Sequence, residues 1–275
     1  MLGIPSAITL SNGVVMPALG LGTYKSAEGG DVERAVSAAL ALGYRRIDTA
    51  SLYGNESGIG AALRESDVPR DEVFIASKVW NDEQGYDATL AAFERSLTRL
   101  GTGYLDLYLV HWPRAETRET WRALERLYAE GTTRAIGVCN HLEHHLDALL
   151  AAADVPPMVN QYEFHPWLQQ PALRAYCRER GITVEAWAPL MRGHAAEEPE
   201  LARIASARGR TPGQVALRWL LQTGAAVIPK SVHAERIAEN ADVFGFELTD
   251  EEMAAIAAVD RGHRFGPEPD RGGER

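Results

Sequence analysis

Asp48 and Tyr53 leave one short strand together, in the stretch "GYRRIDTASLYGNE" that covers residues 43–56. A carboxylate and a phenol at a strand end need a third group to act as a pair. A phenol is a poor acid at neutral pH, with an unperturbed pKa of about 10. An ammonium beside it stabilises the phenolate and draws that pKa down. A buried lysine tends to lose its own proton, so a carboxylate must hold its charge. The run "VFIASKV" supplies Lys78 near its end, and "LDLYLVH" ends in His111. Asp48, Lys78 and Tyr53 are thus the residue types of a tuned proton donor, and His111, as neutral imidazole, can hydrogen-bond the group that receives the proton.

These four residues must be brought together from across the chain, and the pattern of elements shows how. "ALGLGTY", "YRRIDTA", "VFIASKV", "LDLYLVH", "RAIGVCN", "MVNQYEF", "TVEAWAPL" and "AVIPKS" read as strands, rich in aliphatic and β-branched residues. Amphipathic stretches such as "DVERAVSAALALG", "DATLAAFERSLTRLG" and "ETWRALERLYAEG" lie between them, several ending in the glycine that tolerates a left-handed C-cap. Eight strand–helix units over roughly 250 residues predict an α/β chain folded as a (β/α)8 barrel. A doubly wound sheet would show a glycine fingerprint after a strand. "GLGTYK" lacks its third glycine, and "GIGAAL" sits inside a helix. An N-terminal hairpin is expected around 8–10 and 14–16, with Asn12-Gly13 supplying the positive φ angles of its turn. Two further helices, "PELARIASARG" and "TDEEMAAIAAVD", exceed the eight-fold repeat, and residues 261–275 carry no periodicity, as for a tail running over the surface or across a barrel mouth. No linker interrupts residues 1–275, so one domain is expected.

A barrel gathers the C-terminal ends of its strands on one face. Those ends supply Asp48 with Tyr53, then Lys78, His111, Asn140, Gln161, Trp187 and finally Lys230 with Ser231. A single buried Lys or His on a strand is usually a satisfied structural group. Convergence of so many polar strand ends is what favours a functional rim.

Composition narrows the classes. Of 275 residues, 45% are hydrophobic, enough for a sizeable core, and the formal net charge of −10 argues against a nucleic-acid partner. The N-terminal stretch has neither a basic n-region nor an apolar span, so no membrane partner is expected. Cys139 and Cys177 are the only cysteines, which fits a reducing cytoplasm and packing roles. "HLEHH" places His141 and His145 four apart, a spacing that can bind metal on a helix. Its glutamate stands at the wrong offset for a zinc-protease motif. No metal is expected.

"GYRRIDTASLYGNE", "SKVW", "LDLYLVHWP", "IGVCNH", "VNQYEFHP" and "IPKSVHAERIAEN", in this order and across almost the whole chain, resemble the signatures of the aldo-keto reductases. "GVCNH" and "AWAPL" are similar to its short bacterial branch, which includes 2,5-diketo-gluconate reductases. The resemblance implies the hairpin, the two extra helices and NADPH-dependent reduction of a small carbonyl substrate without metal. It carries a catalytic tetrad onto Asp48, Tyr53, Lys78 and His111. It also implies that Trp187 stacks on the nicotinamide, that Asn140 and Gln161 bond its carboxamide, and that Gly22 and Thr23 border the cofactor beside Asp48. Lys230, Ser231 and Arg236 would hold the 2′-phosphate, with Glu239 and Asn240 near the adenine; Lys plus Arg beside a helix start suits a dianion. Cys139 departs from the serine that usually stands there, and a thiol bonds a carboxamide more weakly than a hydroxyl. Tyr24, Trp80 and Trp112 flank the rim as the expected substrate wall, and a monomer is the expected state. Two other classes compete: a nucleotide-binding regulatory subunit with little turnover, and a Schiff-base lyase using Lys78.

Overall fold

A computed structural model of the protein describes residues 6–272. It opens with a hairpin, β1 (Ala7–Thr9) and β2 (Val15–Pro17), paired antiparallel with Ala7 opposite Pro17. The turn differs from the expected one. Gly13 has φ 86, but Asn12 does not enter the left-handed region. Leu10 N–H instead bonds Val14 C=O at 2.9 Å around a longer loop. Asn12 is occupied elsewhere: its Oδ1 accepts from Val14 N–H, and its Nδ2 donates to the Arg134 carbonyl at 2.9 Å. That bond pins the hairpin beneath the barrel, because Arg134 lies just before a strand begins.

The barrel strands are β3 (Leu21–Gly22), β4 (Arg46–Asp48), β5 (Phe74–Val79), β6 (Leu107–Val110), β7 (Ile136–Cys139), β8 (Val159–Glu163), β9 (Thr183–Trp187) and β10 (Ala226–Val227). All are parallel, each paired with its neighbour in sequence. Parallel bridges from Leu19 to Val227 and from Gly22 to Lys230 bring the first strand back against the last. A side chain at Gly22 would block this seam, since a Cβ there would lie 2.6 Å from the Ile228 carbonyl oxygen. The bonds Gly20 N–H to Val227 C=O (2.9 Å) and Gly22 N–H to Pro229 C=O (3.1 Å) close it.

Around the strands run α1 (Asp31–Ala41), α2 (Glu56–Glu65), α3 (Tyr86–Leu100), α4 (Thr117–Ala129), α5 (Glu143–Leu150), α6 (Pro171–Glu179), α7 (Pro199–Arg208), α8 (Pro212–Gln222), α9 (Ala234–Ala241) and α10 (Asp250–Ala257). Here α7 and α10 are the two helices beyond the eight-fold repeat. The helices turn apolar stripes inward, as Val32, Val36 and Leu40 do on α1, each at 3% exposure or less. Burying such a side chain contributes about 1.5–3 kcal/mol. α10 starts on a reciprocal cap: Thr249 Oγ1 accepts from Glu252 N–H, and Glu252 accepts from Thr249 N–H. Among the described residues no helix is long and apolar enough to cross a membrane.

The barrel interior is not wholly apolar. Arg46 on β4 and Glu185 on β9 are both fully buried and ion-paired. Their strands are not neighbours, so the pair spans the interior, and Arg46 Nη1 continues to the Pro17 carbonyl of the hairpin. Burial outweighs the Arg46 charge and raises the Glu185 carboxyl's pKa, and either group left without the other would cost several kcal/mol.

Candidate active site

Asp48 and Lys78 meet because β4 and β5 are adjacent and both side chains turn into the barrel near its upper end. Lys78 Nζ donates to Asp48 Oδ1 (2.6 Å), to the Thr49 carbonyl (2.8 Å) and to the Tyr53 hydroxyl (3.4 Å). All three ammonium protons are therefore placed. The bond to Tyr53 makes the phenol oxygen an acceptor and leaves its own proton free. Tyr53 reaches this position from a single helical turn, Ser51–Tyr53, ending at left-handed Gly54. The next two residues of the motif lock that turn in place. Asn55 Nδ2 bonds the Thr23 and Ser26 carbonyls while its Oδ1 accepts from Thr49. Glu56, buried under α3, accepts from Ser77 at 2.6 Å and from Arg99 at 2.7 Å.

Two opposed influences set the charge states. Burial pulls the Lys78 ammonium down, but Asp48, and then Tyr53, more than restore it, so its pKa is raised. Burial pushes the Tyr53 phenol well above its ordinary value. Lys78 opposes that rise, as its charge is expected to, without reversing it. His111, 8% exposed, is pushed well below the usual imidazole range by burial and by the Lys78 charge, and is neutral. Its ring stands edge-on to Tyr53 at 5.8 Å and to Trp80 at 5.0 Å.

Beyond this cluster the strand ends are stitched together. Asn140, with φ 58, donates to the His111 carbonyl (3.0 Å) and accepts from Trp187 Nε1 (2.8 Å). Gln161 Nε2 donates across the barrel to Asp48 Oδ2 at 2.9 Å. Thr23 Oγ1 donates to the Asp48 carbonyl at 2.8 Å.

One groove of about 1550 Å³ runs over all of this. Its lining brings together Gly22, Thr23, Tyr24, Asp48, Tyr53, Trp80, His111 and Trp112. Asn140, Gln161 and Trp187 line it too, with Lys230, Ser231, Arg236, Glu239 and Asn240 among the remaining lining residues. Lys78 and Cys139 are not on its surface. Lys78 lies behind Tyr53, and Cys139 is fully buried inside the barrel with its thiol pushed up by burial. At the far end Ser231 Oγ is engaged in a local turn with His233, and Glu239 accepts from Thr211 at 2.6 Å. Lys230 and Arg236 form no ion pair with any described residue.

Sequence reasoning missed part of the lining. Most of residues 188–196 line the groove, Met191 and His194 excepted, in a stretch where Ala188, Met191 and Arg192 adopt φ 52, 54 and 51. Such angles cost non-glycine residues roughly 1–2 kcal/mol each, and no residue type in the stretch announces them. Phe265, Gly266 and Arg271 of the aperiodic tail also line the groove. Leu52 was legible as an apolar residue between Asp48 and Tyr53 that a turn would leave exposed, and it is 44% exposed.

The "HLEHH" histidines serve packing and tethering. His141 is buried with Nδ1 at the Cys139 carbonyl, 2.8 Å away. His144 and His145 both approach Asp270, at 3.0 and 3.4 Å. These three are close enough to suit an ion. However, His145 Nδ1 accepts from Leu142 N–H, which leaves the proton of the neutral ring on the nitrogen facing Asp270.

The chain matches the Aldo/keto reductase family over residues 18–261. It is 52% identical over 268 residues to a glyoxal reductase of Bacillus subtilis (strain 168), covering 97% of each chain. Among solved structures it superposes with a TM-score of 0.94 on MGS-M4, an aldo-keto reductase from a Medee basin deep-sea metagenome library. That likeness is at 45% identity and covers 96% of this chain and 98% of the other. A point mutant of Gox0644 in complex with NADPH superposes with a TM-score of 0.92 at 43% identity, covering 96% and 97%.

Proposed function

The chain belongs to the aldo/keto reductase family of oxidoreductases, and from that premise we propose that it uses NADPH to reduce small aldehydes, ketones or dicarbonyls, with Tyr53 as proton donor. The observation that carries this reading is the placement of Lys78 Nζ against Asp48, Thr49 and the Tyr53 hydroxyl beneath the groove.

The groove residues suit the cofactor. Among the described residues Gln161 Oε1 and one Asn140 side-chain N–H have no protein partner, a donor–acceptor pair complementary to a carboxamide. Trp187 offers a planar, half-buried surface beside them. Lys230, shortly before α9, and Arg236, in its first turn, form no ion pair among the described residues and suit a dianionic phosphate. The relative that superposes with NADPH bound supports the same choice.

When bound, NADPH supplies the hydride. The protein does the rest. His111, neutral, hydrogen-bonds the substrate carbonyl oxygen and orients it. Tyr53 gives its free proton to that oxygen as negative charge develops there. Lys78 stabilises the phenolate left behind, and Asp48 keeps Lys78 charged. The burial that raises the phenol's pKa keeps it protonated through the neutral range, the form that reduction needs. Tyr24, Trp80 and Trp112 form an apolar wall for the substrate. The same geometry speaks against Lys78 as a Schiff-base nucleophile, since its ammonium is charged and all three protons are bonded.

The test is a panel of aldehydes, 2-oxo aldehydes and ketones, following loss of reduced-nicotinamide absorbance. Tight NADPH binding without turnover on any of them would favour the regulatory-subunit reading instead.

A further inference from the structure

Glu163 ends β8, two residues beyond Gln161, and no part of the mechanism above uses it. Its carboxylate is fully buried, yet it accepts from two consecutive backbone amides of the C-terminal tail: Phe265 N–H at 2.7 Å and Gly266 N–H at 3.0 Å. His165 Nε2 lies 3.1 Å from the same carboxylate. Burial alone would raise the carboxyl's pKa, but the His165 contact and the two amides hold it below the usual range, so Glu163 is ionised.

This clamp sets a contact inside the groove. Glu163 pairs in register with Trp187 on β9. The tail it holds brings Gly266 so close to the Trp187 ring that a Cβ there would lie 2.3 Å from Cη2 and 3.2 Å from Cζ2. The indole is thus held at both ends, by Asn140 at its N–H and by Gly266 at its far edge. On either side of the clamp the tail is fastened separately. His263 N–H bonds the Trp167 carbonyl at 2.9 Å, and the Gly272 carbonyl accepts from Asn81 at 2.7 Å.

We propose that Glu163 is a positioning residue for the cofactor: by docking Phe265 and Gly266 it presses the tail against Trp187 and holds the indole in the plane on which the nicotinamide stacks. This rests on the reading that Trp187 carries the nicotinamide. A glutamine at 163 presents an NH₂ where one amide must donate, so it keeps at most one of the two bonds.

The experiment combines Glu163→Gln, Gly266→Ala and the double variant in the full chain, with two readouts. Hydrogen exchange of the Phe265 and Gly266 amides, without cofactor, reports the clamp. NADPH Kd, from quenching of tryptophan fluorescence, reports its consequence. Glu163→Gln should speed exchange at both amides by about ten-fold or more and raise the Kd about five- to ten-fold. Gly266→Ala should raise the Kd similarly by displacing the ring. The double variant should bind no worse than Glu163→Gln alone, because a released tail no longer presses its extra methyl on Trp187. Faster exchange with an unchanged Kd, or additive losses in the double variant, would overturn the proposal while leaving the NADPH reading intact. A wild-type protein that does not bind NADPH would overturn that reading and this one with it.

Discussion

The two ends of the groove are built on opposite plans. At the end where Tyr53 stands, Asp48 and Lys78 are at most 1% exposed and all three ammonium protons are bonded; burial keeps Tyr53 and His111 neutral, while Asp48 keeps Lys78 charged against it. At the end proposed to hold the 2′-phosphate, Lys230 and Arg236 are exposed, with no carboxylate partner among the described residues. The first end is preorganised, so its contribution is realised in the transition state and is insensitive to salt. The second, if it meets a phosphate, would act by attraction through water, contribute to binding, and weaken as ionic strength rises. Substitutions at one end should therefore change turnover, and at the other affinity.

The sharpest division comes from Tyr53→Phe, which keeps the ring and removes the proton donor. Turnover should fall by about 10²–10⁴-fold, the usual worth of general acid catalysis, with NADPH binding within a few-fold of wild type. Near-normal turnover would remove Tyr53 from the proton transfer. Lys78→Met should act on the same step and on stability. It leaves Asp48 buried with Gln161 as its remaining side-chain partner, at a cost of about 3–5 kcal/mol in urea unfolding, part of which a companion Asp48→Asn should restore. Its pH signature is separate. Oxidation of an alcohol needs the phenolate, so in the wild type its single-turnover rate should rise only in the alkaline range, while reduction stays level through neutrality. Without the ammonium the phenol's pKa climbs further, and the oxidation limb should move to still higher pH. An unmoved limb would uncouple Lys78 from Tyr53.

At the other end, Arg236→Ala should weaken NADPH by about 1–3 kcal/mol and leave NADH nearly unchanged. The loss should shrink when titrations are repeated at high salt. Equal losses for both cofactors, independent of salt, would mean that Arg236 does not meet the extra phosphate. The smallest effect is expected at Cys139. Because its thiol lies inside the barrel and off the groove surface, Cys139→Ser should leave the NADPH Kd within about two-fold, though burying a hydroxyl without a partner costs about 1–3 kcal/mol of stability. Clear tightening of NADPH would show that residue 139 reaches the carboxamide after all.

The same contrast explains what could be read ahead of the structure. Asp48, Lys78, His111 and Gln161 were legible because each lies within two residues of the C-terminal end of a strand of recognisable pattern, and a parallel barrel sends every such end to one rim. Asn55 and Glu56 stood in the same motif, but nothing local marks Glu56 as a buried acceptor; its bonds to Ser77 and Arg99 depend on β5 and α3 both lying against the start of α2. The turn at Asn12-Gly13 was placed correctly but given the wrong geometry, because the Asn12 side chain is drawn to the Arg134 carbonyl, 122 residues away. Residues 188–196 gave no signal and the tail only its lack of period, which left it over the surface or across the mouth without naming a residue, since their backbone angles are imposed by neighbours.

The sequence by itself therefore determined the barrel, its order of strands and the chemical types gathered at its mouth, because periodicity and strand endings are local properties that the chain carries wherever it folds. Tertiary structure decided the rest: that Tyr53 accepts from Lys78 and so keeps its proton free, that burial outweighs the ammonium in setting the phenol's pKa, and that a carboxylate on β8 clamps the tail against Trp187. Those outcomes depend on desolvation and on distances of about 3 Å between residues far apart in the chain, and no local pattern encodes either.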